Sequence, residues 1–178
     1  MGFVAVALIV FGCQASSVPI WDVPPSVKLS EIRETPGISY YDGPGSDSVR
    51  HSLDIYSPKL VADAPTLVII HGGEWKYGDN RCFGLYSSVG RYFASRGFVV
   101  VMANYRLSPD VKHPEHAKDV ARAVAWTKAN IAKYSGNPDS IFLLGHSAGG
   151  HLVSLLASDE QYLQSEGMSP RDIAGVIA

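Results

Sequence analysis

The sequence predicts an α/β fold, with a mostly parallel sheet carrying helices on both faces. Three observations lead there. Thr66-Leu67-Val68-Ile69-Ile70, Phe98-Val99-Val100-Val101-Met102-Ala103 and Ile141-Phe142-Leu143-Leu144 are short apolar runs without alternation, as in strands buried on both faces. The stretches between them space their apolar residues as helices do. The first and third runs pass directly into glycine-containing turns, His71-Gly72-Gly73 and Gly145-His146-Ser147-Ala148-Gly149. Right-handed crossovers put the turns after parallel strands on one edge of the sheet, so these two turns should converge.

The chain in order supports this. Residues 3–11 form a nearly unbroken apolar run, too short to span a bilayer but suited to the core of an export signal. Val10-Phe11-Gly12-Cys13 resembles a bacterial lipoprotein cleavage box. The expectation is a signal peptide at 1–12, a lipidated Cys13 attaching the protein to a membrane, and an exported, cell-envelope or secreted location. Residues 13–34 hold Pro19, Pro24 and Pro25 without a clear period and read as a tether. The remaining residues, 35–178, read as the domain.

In that domain a first strand is expected from Ile38 to Tyr41. The turn cluster 42–47 follows, then an alternating strand at 51–56 with Leu53 and Ile55 on one face. Together they make a hairpin at a sheet edge. A helix is expected over 81–96, with Leu85, Val89, Tyr92 and Phe93 inward and Gly97 as its stop. Pro114 opens the next helix, with Ala117, Val120, Ala121, Val124 and Ile131 inward, and Gly136-Asn137-Pro138 closes it. Leu152, Val153, Leu155 and Leu156 space a further helix, and 173–178 reads as one more strand.

Composition narrows the function classes. A net charge of −2 over 178 residues argues against a nucleic-acid partner, which needs a clustered basic excess. With Cys13 lipidated, Cys82 stands alone, so no disulfide framework is expected. Gly145 to Gly150 lacks the Gly-x-Gly-x-x-Gly pattern of dinucleotide sites, and no cofactor is expected. His113 and His116 lack further ligands at suitable spacing, so no metal is expected either.

What remains is serine chemistry. Strand, Gly-x-Ser-x-Gly, helix is the context of a nucleophile elbow. Gly145 and Gly149 permit the sharp turn and leave Ser147 exposed at its tip. A serine hydroxyl needs a general base, a group to orient the base, and donors for the oxyanion that forms. Ala148 offers a backbone N–H at the helix N-terminus, and the turn at Gly72, Gly73 and Glu74 can offer others.

His71-Gly72-Gly73-Glu74-Trp75, Tyr105-Arg106-Leu107 and Gly145-His146-Ser147-Ala148-Gly149-Gly150, in this order, resemble the esterase/lipase branch of the α/β-hydrolase superfamily. The similarity runs from about Ile38 onward. The nearest flavour is that of bacterial carboxylesterases similar to acetylxylan/feruloyl esterases and to kynurenine formamidase. The resemblance implies a carboxylic-ester hydrolase without cofactor, acting on a small-molecule or carbohydrate-linked ester. Ser147 would be the nucleophile, and the N–H groups of Gly73, Glu74 and Ala148 the oxyanion donors. His71 would brace the oxyanion loop with Gly72. Many relatives carry a third glycine where Glu74 stands; the N–H survives the change, and the carboxylate must point away. Trp75 and Tyr77 could wall a substrate pocket.

The acid and base of the triad follow the serine in this superfamily. After Ser147 the sole histidine is His151, on the elbow helix and expected to face away. Asp159, Glu160, Glu166 and Asp172 fall around or before the last strand. The chain therefore reads as an N-terminal portion of a longer enzyme, with C-terminal strands and the triad Asp and His absent. Two other functions share these residues: amide or formamide hydrolysis by the same nucleophile, and a non-catalytic envelope protein binding through a degenerate site.

Overall fold

The computed structural model describes residues 8–9, 28 and 31–178. Among the described residues seven strands form one sheet: β1 (Leu8–Ile9), β2 (Ile32–Ser39), β3 (Ser52–Pro58), β4 (Ala64–Ile70), β5 (Val99–Ala103), β6 (Gly136–Gly145) and β7 (Gly175–Ile177). Their spatial order is β1-β7-β6-β4-β5-β3-β2. The centre is parallel, with β4 between β5 and β6, and β7 parallel to β6. The β2–β3 hairpin adds two antiparallel strands at one edge. At the other edge Leu8 and Ile9 lie antiparallel to Ile177 and Val176. The rest of the expected signal segment, Cys13 and most of the expected tether lie outside the described residues.

Among the described residues four α-helices pack on the sheet: α1 (Leu85–Ser95), α2 (Glu115–Asn130), α3 (Ala148–Ser158) and the short α4 (Gln161–Gln164). The central strands send alternate side chains to opposite faces. Val68, Ile70, Val101, Ile141 and Leu143 meet Val120, Val124, Leu152 and Leu156 of α2 and α3. Leu67, Ile69, Val100 and Met102 meet Tyr86 and Ala94 of α1. Apolar side chains on both faces of each strand are why these runs show no alternation.

Several boundaries differ from expectation. The hairpin's first strand begins at Ile32, inside the expected tether, and not at Ile38; a register shift between Thr35 and Ile38 carries it past Pro36-Gly37. Gly136-Asn137-Pro138 does not lie outside regular structure but opens β6. The turn before it is made by Ser135, which takes the left-handed φ of 68° itself. Only α1 has a misassigned face. Leu85 and Tyr92 are exposed, and the buried residues are Tyr86, Gly90 and Ala94. Gly90 decides this rotation: a Cβ there would stand 2.8 Å from the Tyr56 ring, so the helix rests its glycine on that ring.

Candidate active site

The turn from β6 into α3 has the geometry of an elbow. Ser147 is exposed, at φ 54° and ψ −114°, a region that costs a non-glycine residue about 1–3 kcal/mol. Its flanking glycines are required by proximity. A Cβ on Gly145 would lie 2.3 Å from the Gly149 carbonyl oxygen, and one on Gly149 would lie 2.2 Å from that of Ile70. The His146 N–H donates to the Ile70 carbonyl at 3.1 Å, pinning the elbow to the end of β4.

The loop leaving β4 is held as firmly. Gly73, Glu74 and Trp75 have φ of 123°, 55° and 59°, and the N–H groups of Lys76 and Tyr77 both donate to the Gly73 carbonyl at 2.9 and 2.8 Å. At its base His71 is buried and stacks on Tyr105, ring centroids 4.5 Å apart. Tyr105 donates its hydroxyl to the His71 carbonyl at 3.1 Å. The His71 Nδ1 lies 2.7 Å from the Gly72 carbonyl, which can only accept, so Nδ1 carries the proton. Burial lowers the His71 pKa, and the bond to Gly72 only partly opposes this, so the ring is neutral. At the far end Asn80 and Asn104 interlock: the Asn80 N–H donates to the Asn104 side chain at 2.6 Å, and the Asn80 amide to the Met102 carbonyl at 3.1 Å. Arg50 donates to the Gly78 carbonyl at 2.8 Å.

These constraints leave backbone donors unspent. Among the described residues, the N–H groups of Gly73, Glu74 and Ala148 take no acceptor, whereas that of Gly72 donates to the Tyr86 hydroxyl at 2.9 Å. Gly72 therefore contributes close approach and not a donor. Free N–H groups on two adjoining turns beside a serine hydroxyl can stabilise an alkoxide that develops there.

The Glu74 side chain is exposed, so its charge is turned to solvent. Glu74→Gly is expected to keep the N–H, relieve a left-handed φ and raise stability by no more than about 1 kcal/mol. Thermal denaturation checks this.

The two expected pocket residues differ. Trp75 is half-buried and meets His151 edge to face, centroids 5.3 Å apart; Tyr77 is 66% exposed. No imidazole or carboxylate among the described residues hydrogen-bonds the Ser147 hydroxyl. Three of the later carboxylates are engaged elsewhere. Asp159 holds Gln161, Glu166 faces Arg122 at 3.5 Å, and Asp172 closes a capping box with Ser169.

Tyr105 is fully buried, and Arg106 forks onto the buried Asp119 through Nε and Nη2, both at 2.8 Å. His51, expected only as part of the hairpin, is buried with Nε2 3.0 Å from Asp119. The sequence carried no local signal for this hub: at 100° per residue Asp119 falls outside the arc of Ala117, Val120, Ala121 and Val124.

The winding of the sheet and the elbow at the end of β6 define the class: this is an α/β-hydrolase of the esterase branch. Within that class the chain belongs to the BD-FAE family, whose model matches residues 53–171. It is 46% identical over 98 residues to the probable carboxylic ester hydrolase LipM of Mycobacterium tuberculosis, covering 55% of this chain and 22% of LipM. Esterase LipC of the same organism is 39% identical over 121 residues, covering 65% and 30%. Among solved structures, esterase B from Lactobacillus rhamnosis superposes with a TM-score of 0.66 at 27% identity, covering 85% of this chain and 47% of that one. A truncated carbohydrate esterase from gut microbiota gives 0.65 at 26% identity, covering 78% and 48%. The chain thus spans less than a third of these two curated relatives and about half of the two solved chains.

Proposed function

We propose that the protein hydrolyses carboxylic esters through an acyl-enzyme on Ser147. The observation that carries this reading is the exposed, strained serine flanked by three unspent N–H groups. The Ser147 Oγ attacks the ester carbonyl carbon while its proton passes to a general base. The carbonyl oxygen becomes an oxyanion, held by the N–H groups of Gly73, Glu74 and Ala148 as an oxyanion hole. Collapse expels the alcohol, which takes the proton from the base, and leaves the acyl-serine. Water, deprotonated by the same base, then releases the acid. We assign the base and its carboxylate partner to parts of the protein outside the described residues, in the order serine, acid, histidine.

Carbohydrate-linked esters are the favoured substrate class, supported by the carbohydrate esterase among the solved relatives. An exported protein, anchored through a lipidated Cys13, fits the apolar run and the Val10-Phe11-Gly12-Cys13 box.

The test is labelling by a fluorophosphonate probe of the protein made from its complete natural reading frame. The wild type should label and Ser147→Ala should not; equal labelling of the two overturns the assignment.

A further inference from the structure

We propose that the Tyr86 hydroxyl is a positioning residue that clamps the oxyanion loop to the elbow; the inference rests on the ester-hydrolase reading above. Tyr86 sits near the start of α1, its side chain buried against the sheet. Its hydroxyl oxygen lies 2.9 Å from the Gly72 nitrogen and 2.9 Å from the His146 Nδ1. Gly72 belongs to the loop after β4, and His146 immediately precedes Ser147.

The direction of the two bonds follows from the atoms. The Gly72 N–H can only donate, so the phenol oxygen accepts it. The one phenolic proton is then free for His146, whose Nδ1 accepts it with the ring proton on Nε2. One hydroxyl thus joins the two turns that carry the oxyanion donors: Gly73 and Glu74 on one side, Ala148 on the other. The turns already touch. A Cβ on Gly72 would lie 2.8 Å from the His146 carbonyl oxygen and 3.1 Å from the Ser147 Cβ. Contact alone permits sliding, whereas a hydrogen-bonded bridge fixes the spacing.

Spacing matters most in the transition state, because the donors act on charge that develops there. Loss of the bridge should therefore lower kcat and leave KM nearly unchanged. Removing a whole oxyanion donor costs about 10²–10³ in kcat, and loosening the frame should cost less, about 10-fold.

The experiment uses the protein from its complete reading frame and a short-chain p-nitrophenyl ester, with rates referred to sites titrated by fluorophosphonate so that unfolded material does not count. Tyr86→Phe should lower kcat about 10-fold with KM within twofold. The double variant Tyr86→Phe/His146→Ala should be no slower than Tyr86→Phe, since both remove one bridge. A kcat within twofold of wild type, or additive losses, overturns the proposal. Nitrogen-15 NMR of labelled histidine reads the bridge without turnover. The neutral His146 ring should carry its proton on Nε2 in the wild type and lose that preference in Tyr86→Phe; a proton on Nδ1 in the wild type overturns it. Absence of any turnover sensitive to Ser147→Ala would strike the hydrolase reading instead, and the NMR result would then decide the bridge.

Discussion

Ser147→Ala is expected to lower kcat for a carboxylic ester by about 10⁴–10⁶ in the protein from its complete reading frame, with folding intact. The size follows from the role. Without the hydroxyl there is no acyl intermediate, and only the N–H groups and substrate binding remain to help water. Stability should hardly change, since alanine keeps the Cβ and hence the same strained φ of 54°. Ser147→Gly separates the two effects. It should be as inactive, yet more stable by about 1 kcal/mol, as released strain of about 1–3 kcal/mol exceeds the entropy cost of a new glycine, about 0.4–1 kcal/mol. Chemical denaturation measures this; a glycine variant less stable than alanine would show that the backbone stores no strain there.

Asp119→Ala is expected to destabilise the fold by about 3–5 kcal/mol, as loss of one partner from a buried ion network does. Asp119 is fully buried on α2. It accepts from the Arg106 N–H at 3.1 Å and from Nε and Nη2 at 2.8 Å, and from Arg122 Nη1 at 3.1 Å; His51 Nε2 lies 3.0 Å away. Arg122 also lies over the Tyr41 ring, 4.4 Å from its centroid. One carboxylate therefore joins the edge hairpin, the loop after β5 and helix α2. Burial alone would raise its pKa, but the Arg106 hydrogen bonds, with help from His51, outweigh this and hold it below the usual aspartate value. The sign then follows. The stabilisation is complete above the unfolded pKa of about 3.9 and is lost as pH falls below it, through the folded value. Urea midpoints should thus differ widely between wild type and Asp119→Ala at pH 7 and converge in acid. A difference independent of pH would assign the loss to packing alone.

Legibility in the sequence tracked how local the cause of each feature is. The buried strands at 66–70 and 141–144 and the elbow were readable because apolar runs, glycines and helix starts are local. The family resemblance located the loop after β4 for the same reason. Features set by distant partners were not readable. The inward face of α1 depends on Gly90 meeting Tyr56, 34 positions earlier in the chain. The His51–Asp119 pair spans 68 positions, and Asp119 falls outside the arc of inward apolar residues on α2, so nothing local hinted at it. Tyr86 showed no signal at all, since a tyrosine at the start of a helix is ordinary until its hydroxyl is seen between Gly72 and His146. The start of β6 was missed because Pro138 reads as a stop, yet β6 continues through it in a pairing that skips register after Ala64.

The order of the strands has a consequence for how this site can change. Neighbours β4 and β6 send the chain to opposite faces of the sheet, one toward α1 and the other into α3. Two chains that diverge from adjacent strands leave a crevice between them, created by the winding and independent of which side chains line it. The serine, the free N–H groups and the Tyr86 bridge all border that crevice. Residues such as Glu74 and His146 can therefore vary without relocating the chemistry, whereas an exchange of β4 with β5 in the order would abolish the crevice and leave every one of these residues without a common place to act.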